Sequence, residues 1–183
     1  MVRAMVWFGP ADPAHPQAPP IDELKGTCMT VRVIEADYHD PLHAEHIVLL
    51  TNAYAQDVMG GATPLPDSVC RELVPRLREM PGALSFLAYE DDRPVGVANC
   101  FVGFSTFKAR PLINVHDLGV VHTARGRGVG KALLDAVAEK SRMMGGCKVT
   151  LEVLESNHAR RLYEREGFRY GEPRYLFMSR PLD

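Results

Sequence analysis

Neither charge is in excess in this chain: 21 Lys and Arg stand against 23 Asp and Glu, a formal net charge of -2. Nucleic acid and anionic membrane are normally met by a basic patch or stripe, so no general attraction to either is expected. Cysteine is scarce. Cys28, Cys70, Cys100 and Cys147 lie far apart, with no C-x-x-C pair. A disulfide framework or zinc site is therefore not expected, and a reducing cytoplasm is the simpler setting. No apolar run approaches the roughly 18 residues of a membrane helix. A secretory signal is not expected either: Met1 to Phe8 is too short for an apolar signal core, and no small-residue cleavage site follows it.

Proline is unevenly spread. Pro10, Pro13, Pro16, Pro19 and Pro20 crowd one short stretch, a density that opposes helix and sheet. Residues 1–28 read as an extended arm or tail, with Met29 as an alternative start. Residues 29–183 read as one domain, large enough for a real core.

Periodicity lays out the elements of that domain. Residues 30–36 alternate as a strand. Asp40-Pro41 supplies an N-cap followed by proline at the first helical position. The helix behind it fades before Gly60-Gly61. A second helix begins near Pro66-Asp67 and stops before Pro81-Gly82. Residues 84–90 and 95–104 read as strands joined by the turn Asp91-Asp92-Arg93-Pro94. A strand over 112–121 leads into a helix over 128–144, which Gly145-Gly146 ends. A strand over 148–154, a short helix over 159–165 and a last strand over 175–179 follow. Strands joined first by hairpins and then by crossover helices imply an α/β fold, a mixed sheet with helices on both faces.

The glycines are concentrated where that sheet meets its longest late helix. Arg125-Gly126-Arg127-Gly128-Val129-Gly130-Lys131 follows an apolar strand and opens a helix. A helix start presents unpaired N–H groups and a positive dipole end, and glycine lets the backbone approach a ligand. That combination favours phosphate or pyrophosphate. Two phosphate loops fail on spacing. A Walker A loop needs glycine at 125 and a hydroxyl at 132, where the chain has Arg125 and Ala132. A Rossmann loop puts its third glycine on Lys131 or Leu133.

Arg125, Gly128 and Gly130 fit a third pattern, Arg/Gln-x-x-Gly-x-Gly/Ala, and in this the chain resembles the GNAT acetyltransferase superfamily. Downstream, Ala159-Arg160-Arg161-Leu162-Tyr163-Glu164-Arg165-Glu166-Gly167-Phe168 is similar to that superfamily's Ala-x-x-Leu-Tyr-x-x-x-Gly-Phe signature. The element order agrees as well, and the resemblance runs from about residue 30 onward. It implies a GNAT fold: a central, mostly antiparallel sheet of about six to seven strands flanked by about four helices. It implies acetyl-coenzyme A as co-substrate, with no metal. Arg125, Gly126, Arg127, Gly128, Val129, Gly130 and Lys131 would cradle the pyrophosphate. The backbone of Leu118, Gly119 and Val120 would run beside the pantetheine arm, where the fold carries a bulge. One position departs from the pattern. The superfamily's asparagine falls where this chain has Ser156, and Asn157, the coenzyme A contact by resemblance, sits one residue later. A narrower similarity links Phe104-Ser105-Thr106-Phe107 and His116-Asp117-Leu118 to the spermidine/spermine-type diamine acetyltransferases, with His116 where those enzymes have glutamate.

Acetyl transfer to an amine needs a proton removed from the amine, a carbonyl oxygen stabilised and a proton for the departing sulfur. A Lys-like ammonium has a pKa of about 10.4 and a thiol about 8.5, so removing the amine proton is the harder task near neutrality. Tyr163 is the candidate acid. His116 has the natural pKa for a base. Asp117 could orient a group or attract a cation, and Glu152 is another candidate base or water holder. Strand alternation puts Val115, Asp117 and Gly119 on one face and His116, Leu118 and Val120 on the other. His39, His43 and His46 approach metal-ligand spacing but straddle Asp40-Pro41, so no metal site is expected. The first expectation is an N-acetyltransferase acting on a small primary amine: a diamine, polyamine or amino-acid-like compound. A protein or aminoglycoside acceptor, and a non-catalytic acyl-coenzyme A-binding module, are the alternatives. Homodimer formation stays open.

Overall fold

A computed structural model describes residues 30–173 and 176–182. The proline-rich segment 1–28 lies outside the described residues. Five strands form one sheet in the order of the chain: β1 (Val31–Glu35), β2 (Ala83–Glu90), β3 (Arg93–Ser105), β4 (Arg110–Val120) and β5 (Val149–Leu151). The first three pairings are antiparallel, and β4 with β5 is parallel. Four helices surround the sheet: α1 (Pro41–Ala55), α2 (Asp67–Glu79), α3 (Val129–Met143) and α4 (Arg160–Arg165).

Local chemistry places these elements close to where periodicity puts them. The Asp40 carboxylate accepts from the N–H groups of Leu42 and His43, capping α1 ahead of Pro41. The β2–β3 hairpin is tighter than its composition suggests. Asp91 and Asp92 alone make the turn, both with positive φ, and Pro94 already lies in β3 opposite Tyr89. Two residues with positive φ match the twist of the flanking strands.

The core is split by the sheet. Val129, Leu133, Leu134 and Val137 of α3 pack with Ala98, Cys100, Ile113 and Val115 on one face. Ile47 and Leu50 of α1 and Val74 and Leu77 of α2 pack with Leu87, Tyr89 and Val97 on the other.

Two expectations about the sheet are corrected. It has five strands among the described residues, not six or seven. Residues 176–179 form no strand, and Tyr175, the first residue of the expected last strand, lies outside the described residues. Leu176, Phe177 and Met178 are exposed. Composition can favour a strand, but a strand also needs a ladder of partners. The other correction concerns β5, which stops at Leu151 instead of running to residue 154. It pairs only Ile113, Asn114 and Val115 of β4. Beyond that point β4 continues with no paired neighbour on this side among the described residues, and the two strands part.

Candidate active site

The parting of β4 and β5 begins at an irregularity in β4. Asn99 pairs with Asp117, but the next residue, Cys100, pairs with Val115. His116 is therefore the extra residue of a β-bulge. The bulge sits just before the segment Leu118 to Val120, where it was expected, and it resets the alternation of side chains. Val115 stays in the core under α3. Asp117 turns to the α1 face, where it meets Asn99, and Gly119 lies beneath Tyr54 of α1. Val115 therefore does not share a face with Asp117 and Gly119. The exposed His116 ring stands edge-on to Phe101, which packs with the α1–α2 core, at 5.7 Å between centroids. Two adjacent polar residues, His116 and Asp117, thus share the α1 face.

Backbone groups follow the same phase. The Val121 N–H donates to Val95 on β3. Alternation then turns the N–H groups of Leu118 and Val120 toward the gap between β4 and β5. Across the gap stands Glu152, whose carboxylate accepts from the Asn114 amide at 3.2 Å. That amide also reaches the Thr150 hydroxyl at 3.2 Å.

Tyr163 of α4 is 8 % exposed and lies in the α3-side core, edge-on to Phe168. Burial, with a smaller contribution from nearby Tyr54, pushes its phenol up to about 12. Tyr54 is itself raised, by burial first and then by Asp117 and Asp57. Tyr54 lies over Gly119 and lines the cleft beside the glycine loop. Sequence reading missed Tyr54, although it extends the buried face of Ile47, Leu50 and Thr51 by one turn.

The glycine loop leaves the start of α3 uncovered. Gly126 and Gly128 take positive φ, 76° and 87°. Gly128 is the left-handed N-cap of α3 and carries no side chain over the helix end. The first helical bond runs from Ala132 to Gly128, so the N–H groups of Val129, Gly130 and Lys131 precede the ladder. A Cβ at Gly130 would stand 2.9 Å from Leu162 Cδ2 of α4, so the end of that leucine side chain would have to shift.

The side chains of the loop are more committed than its backbone. Arg125 bonds the Val120 carbonyl at 3.1 Å and the Asp57 carboxylate at 2.6 Å. Arg127 turns away to the buried Glu90 of β2. Val129 is a core residue, so only its backbone can face a ligand. Lys131 pairs with Asp135 and Glu166. Asn157 accepts from the Ala159 N–H at 2.8 Å and shapes the turn into α4. A cleft of about 230 Å³ beside this loop is lined by Tyr54, Asp57, Gly119, Val121, His122 and Arg125 among others.

The other candidates of the sequence have structural employment. His43 accepts from the Asp37 N–H, and His46 meets the Tyr89 hydroxyl at 2.9 Å. Cys100 is buried, and desolvation, aided by Asp117, pushes its thiol up to about 12. It is a poor nucleophile in that state. No helix among the described residues is long and apolar enough to cross a membrane.

The chain is similar to several known proteins. The chain is 28% identical over 136 residues to YycN, an uncharacterized N-acetyltransferase of Bacillus subtilis (strain 168), covering 67% of this chain and 83% of that protein. Its fold is similar to that of a ribosomal-protein-alanine N-acetyltransferase from Brucella melitensis biovar Abortus 2308, with a TM-score of 0.65 and 21% identity, over 82% of this chain and 100% of the other. It is also similar to an aminoglycoside acetyltransferase from an uncultured soil metagenomic sample, with a TM-score of 0.67 and 18% identity, over 84% and 97% of the two chains. The family model for the acetyltransferase (GNAT) family matches residues 50–168, a span that holds the bulge, the glycine loop and Tyr163, and the chain belongs to that family of N-acetyltransferases.

Proposed function

We propose that this protein moves an acetyl group from acetyl-coenzyme A to the primary amine of a small cationic acceptor, by direct attack with both substrates bound. A diamine, a polyamine or an amino-acid-like amine is the favoured class. The observation that carries this reading is the β4 bulge, which sets His116 and Asp117 side by side where β4 and β5 part.

The residues present fit the co-substrate. The first turn of α3 offers backbone N–H groups and the positive end of its dipole to a pyrophosphate. Arg125 adds a cation at the same place. The gap beside Leu118, Gly119 and Val120 suits an extended arm that bonds to strand backbone. Acetyl-coenzyme A supplies the activated acyl group. His116 takes the proton from the acceptor ammonium, and Asp117 draws that cation to the histidine. Glu152, across the gap, holds a second cationic centre or a water. Tyr163 keeps its phenolic proton through neutral pH and gives it to the departing sulfur. Cys100, the thiol that interacts with Asp117, is buried with its pKa pushed up, which supports direct attack over a covalent relay through it.

Thiol release from acetyl-coenzyme A tests the reading, against diamines, polyamines, amino acids, aminoglycosides and lysine peptides. Turnover on a small cationic amine, lost in Tyr163→Phe and reduced in His116→Ala, is the expected result. Turnover confined to aminoglycosides or peptides would replace the acceptor class. Tight coenzyme A binding with no transfer to any amine would overturn the catalytic reading.

A further inference from the structure

We infer that Asn99 is a positioning residue for the acceptor side of the site, holding the Asp117 carboxylate where a substrate ammonium meets it. The inference rests on the acetyl-transfer reading above.

Asn99 is a polar residue in the middle of an apolar strand, between Ala98 and Cys100, and is 3 % exposed. Its side chain uses both of its donors and one of its two acceptor positions. The amide donates to Thr51 Oγ1 at 3.0 Å and to Asp117 Oδ2 at 3.1 Å. The carbonyl accepts from Ser85 Oγ at 2.8 Å. Ser85 has a single proton and places it on Asn99, so the Tyr38 hydroxyl, 3.1 Å away, donates to Ser85. The protons of this buried chain all run one way, from Tyr38 through Ser85 and Asn99, toward the Asp117 carboxylate. Such chains polarise and stiffen their members.

The chain meets Asp117 at the pair that borders the bulge. The β3–β4 ladder is interrupted between Asn99 and Cys100, so His116, next to Asp117, has no register partner on β3. Asn99, the register partner of Asp117, adds a side-chain tie beside that break. It engages Oδ2 and leaves Oδ1 for a ligand. No other residue type of this size serves both ends. Leucine has no donor, and aspartate would set two carboxylates against each other. The side chains of five elements converge here: the loop before α1, then α1, β2, β3 and β4.

The test pairs Asn99→Ser with Asp117→Asn and the double variant. Acceptor KM and acetyl-coenzyme A KM are read by thiol release, and putrescine affinity by calorimetry. Serine keeps a hydroxyl for Ser85 or Thr51 but is too short for Asp117. Asn99→Ser is expected to weaken putrescine binding and raise the acceptor KM about tenfold, the scale of a lost charged hydrogen bond. The acetyl-coenzyme A KM should stay within about twofold, since the glycine loop is untouched. In the Asp117→Asn background the serine substitution should add nothing to either constant. Should Asn99→Ser not fold, Asn99→Thr fills more of the space and reads the same constants. An equal rise in both KM values, an unchanged putrescine affinity, or a further loss in the Asp117→Asn background overturns the inference. So does a wild-type protein that does not bind putrescine. A wild-type protein that binds putrescine but transfers no acetyl group instead overturns the catalytic reading and leaves the positioning measurable.

Discussion

Asp57, just beyond α1, and Arg125, at the start of the glycine loop, form an ion pair of 2.6 Å across the mouth of the cleft beside α3. The Met59 N–H and then the Arg125 guanidinium hold the Asp57 carboxyl below the usual carboxylate range. The stabilising effect of this pair is present above the ordinary carboxylate pKa and is lost as pH falls through the lowered one. In the proposed reading the same arginine is offered to a pyrophosphate, so an internal carboxylate would compete with the co-substrate. Asp57→Asn is expected to tighten acetyl-coenzyme A binding about threefold at low salt, read by calorimetry. Weaker binding would mean that Asp57 prepares the arginine instead of occupying it.

Tyr163 carries the second prediction. Tyr163→Phe keeps the ring packed on Phe168 and removes only the hydroxyl. It should lower kcat about 100-fold and leave coenzyme A affinity unchanged. The pH profile has a definite sign. With its pKa raised to about 12, the phenol stays protonated on the alkaline side. The kcat profile should therefore rise as the base deprotonates and show no descending limb from this acid below about pH 11. A descending limb near pH 9 that disappears in Tyr163→Phe would contradict the raised value.

A third prediction concerns Arg127, which sequence reading placed among the coenzyme A contacts. Glu90 beneath it is 3 % exposed, and Arg127 is its cation. Removing the arginine strands a buried carboxylate. Arg127→Ala should destabilise the fold by about 2 kcal/mol, less than for a fully buried pair because the guanidinium is partly in water. Glu90→Gln combined with Arg127→Ala should recover most of that loss in urea unfolding. A weakened acetyl-coenzyme A affinity with unchanged stability would assign Arg127 to the ligand instead.

Gly128 bears the fourth. A Cβ there meets nothing within 4 Å, but φ is +87°. The cost of alanine is conformational, about 1–2 kcal/mol. Gly128→Ala is expected to weaken acetyl-coenzyme A binding about tenfold as the loop relaxes away from its anion-binding shape. Gly130→Ala should act differently, since its Cβ would displace the end of the Leu162 side chain on α4, the helix that carries Tyr163. There kcat should fall more than coenzyme A affinity.

Much of this architecture is legible along the chain because local chemistry decides it. Asp40-Pro41 starts α1, and glycines at alternate positions open α3. The face of β4 is not legible. Strict alternation puts Val115 and Asp117 together, and only the pairing with β3 reveals the extra residue between them. The length of β5 and the fate of residues 176–179 depend on partners, not on preference. Tyr54, Asp57, Glu90 and Asn99 escaped notice because each acts through a residue distant in sequence. Asn99 left one trace, an amide in an apolar run. Glu90 left none, since a carboxylate beside a turn is ordinary until its burial is seen.

The bulge also bears on how much the fold asks of position 116. Without His116, β4 reads Ile113, Asn114, Val115, Asp117, Leu118, Gly119, Val120, an unbroken alternation that already gives every side chain its observed face. The sheet would zip shut around a deletion there. His116 is thus the residue that opens the bulge, and because its ring is exposed, the side chain at position 116 is free to change with the acceptor while the bulge and the gap beside it stay as they are.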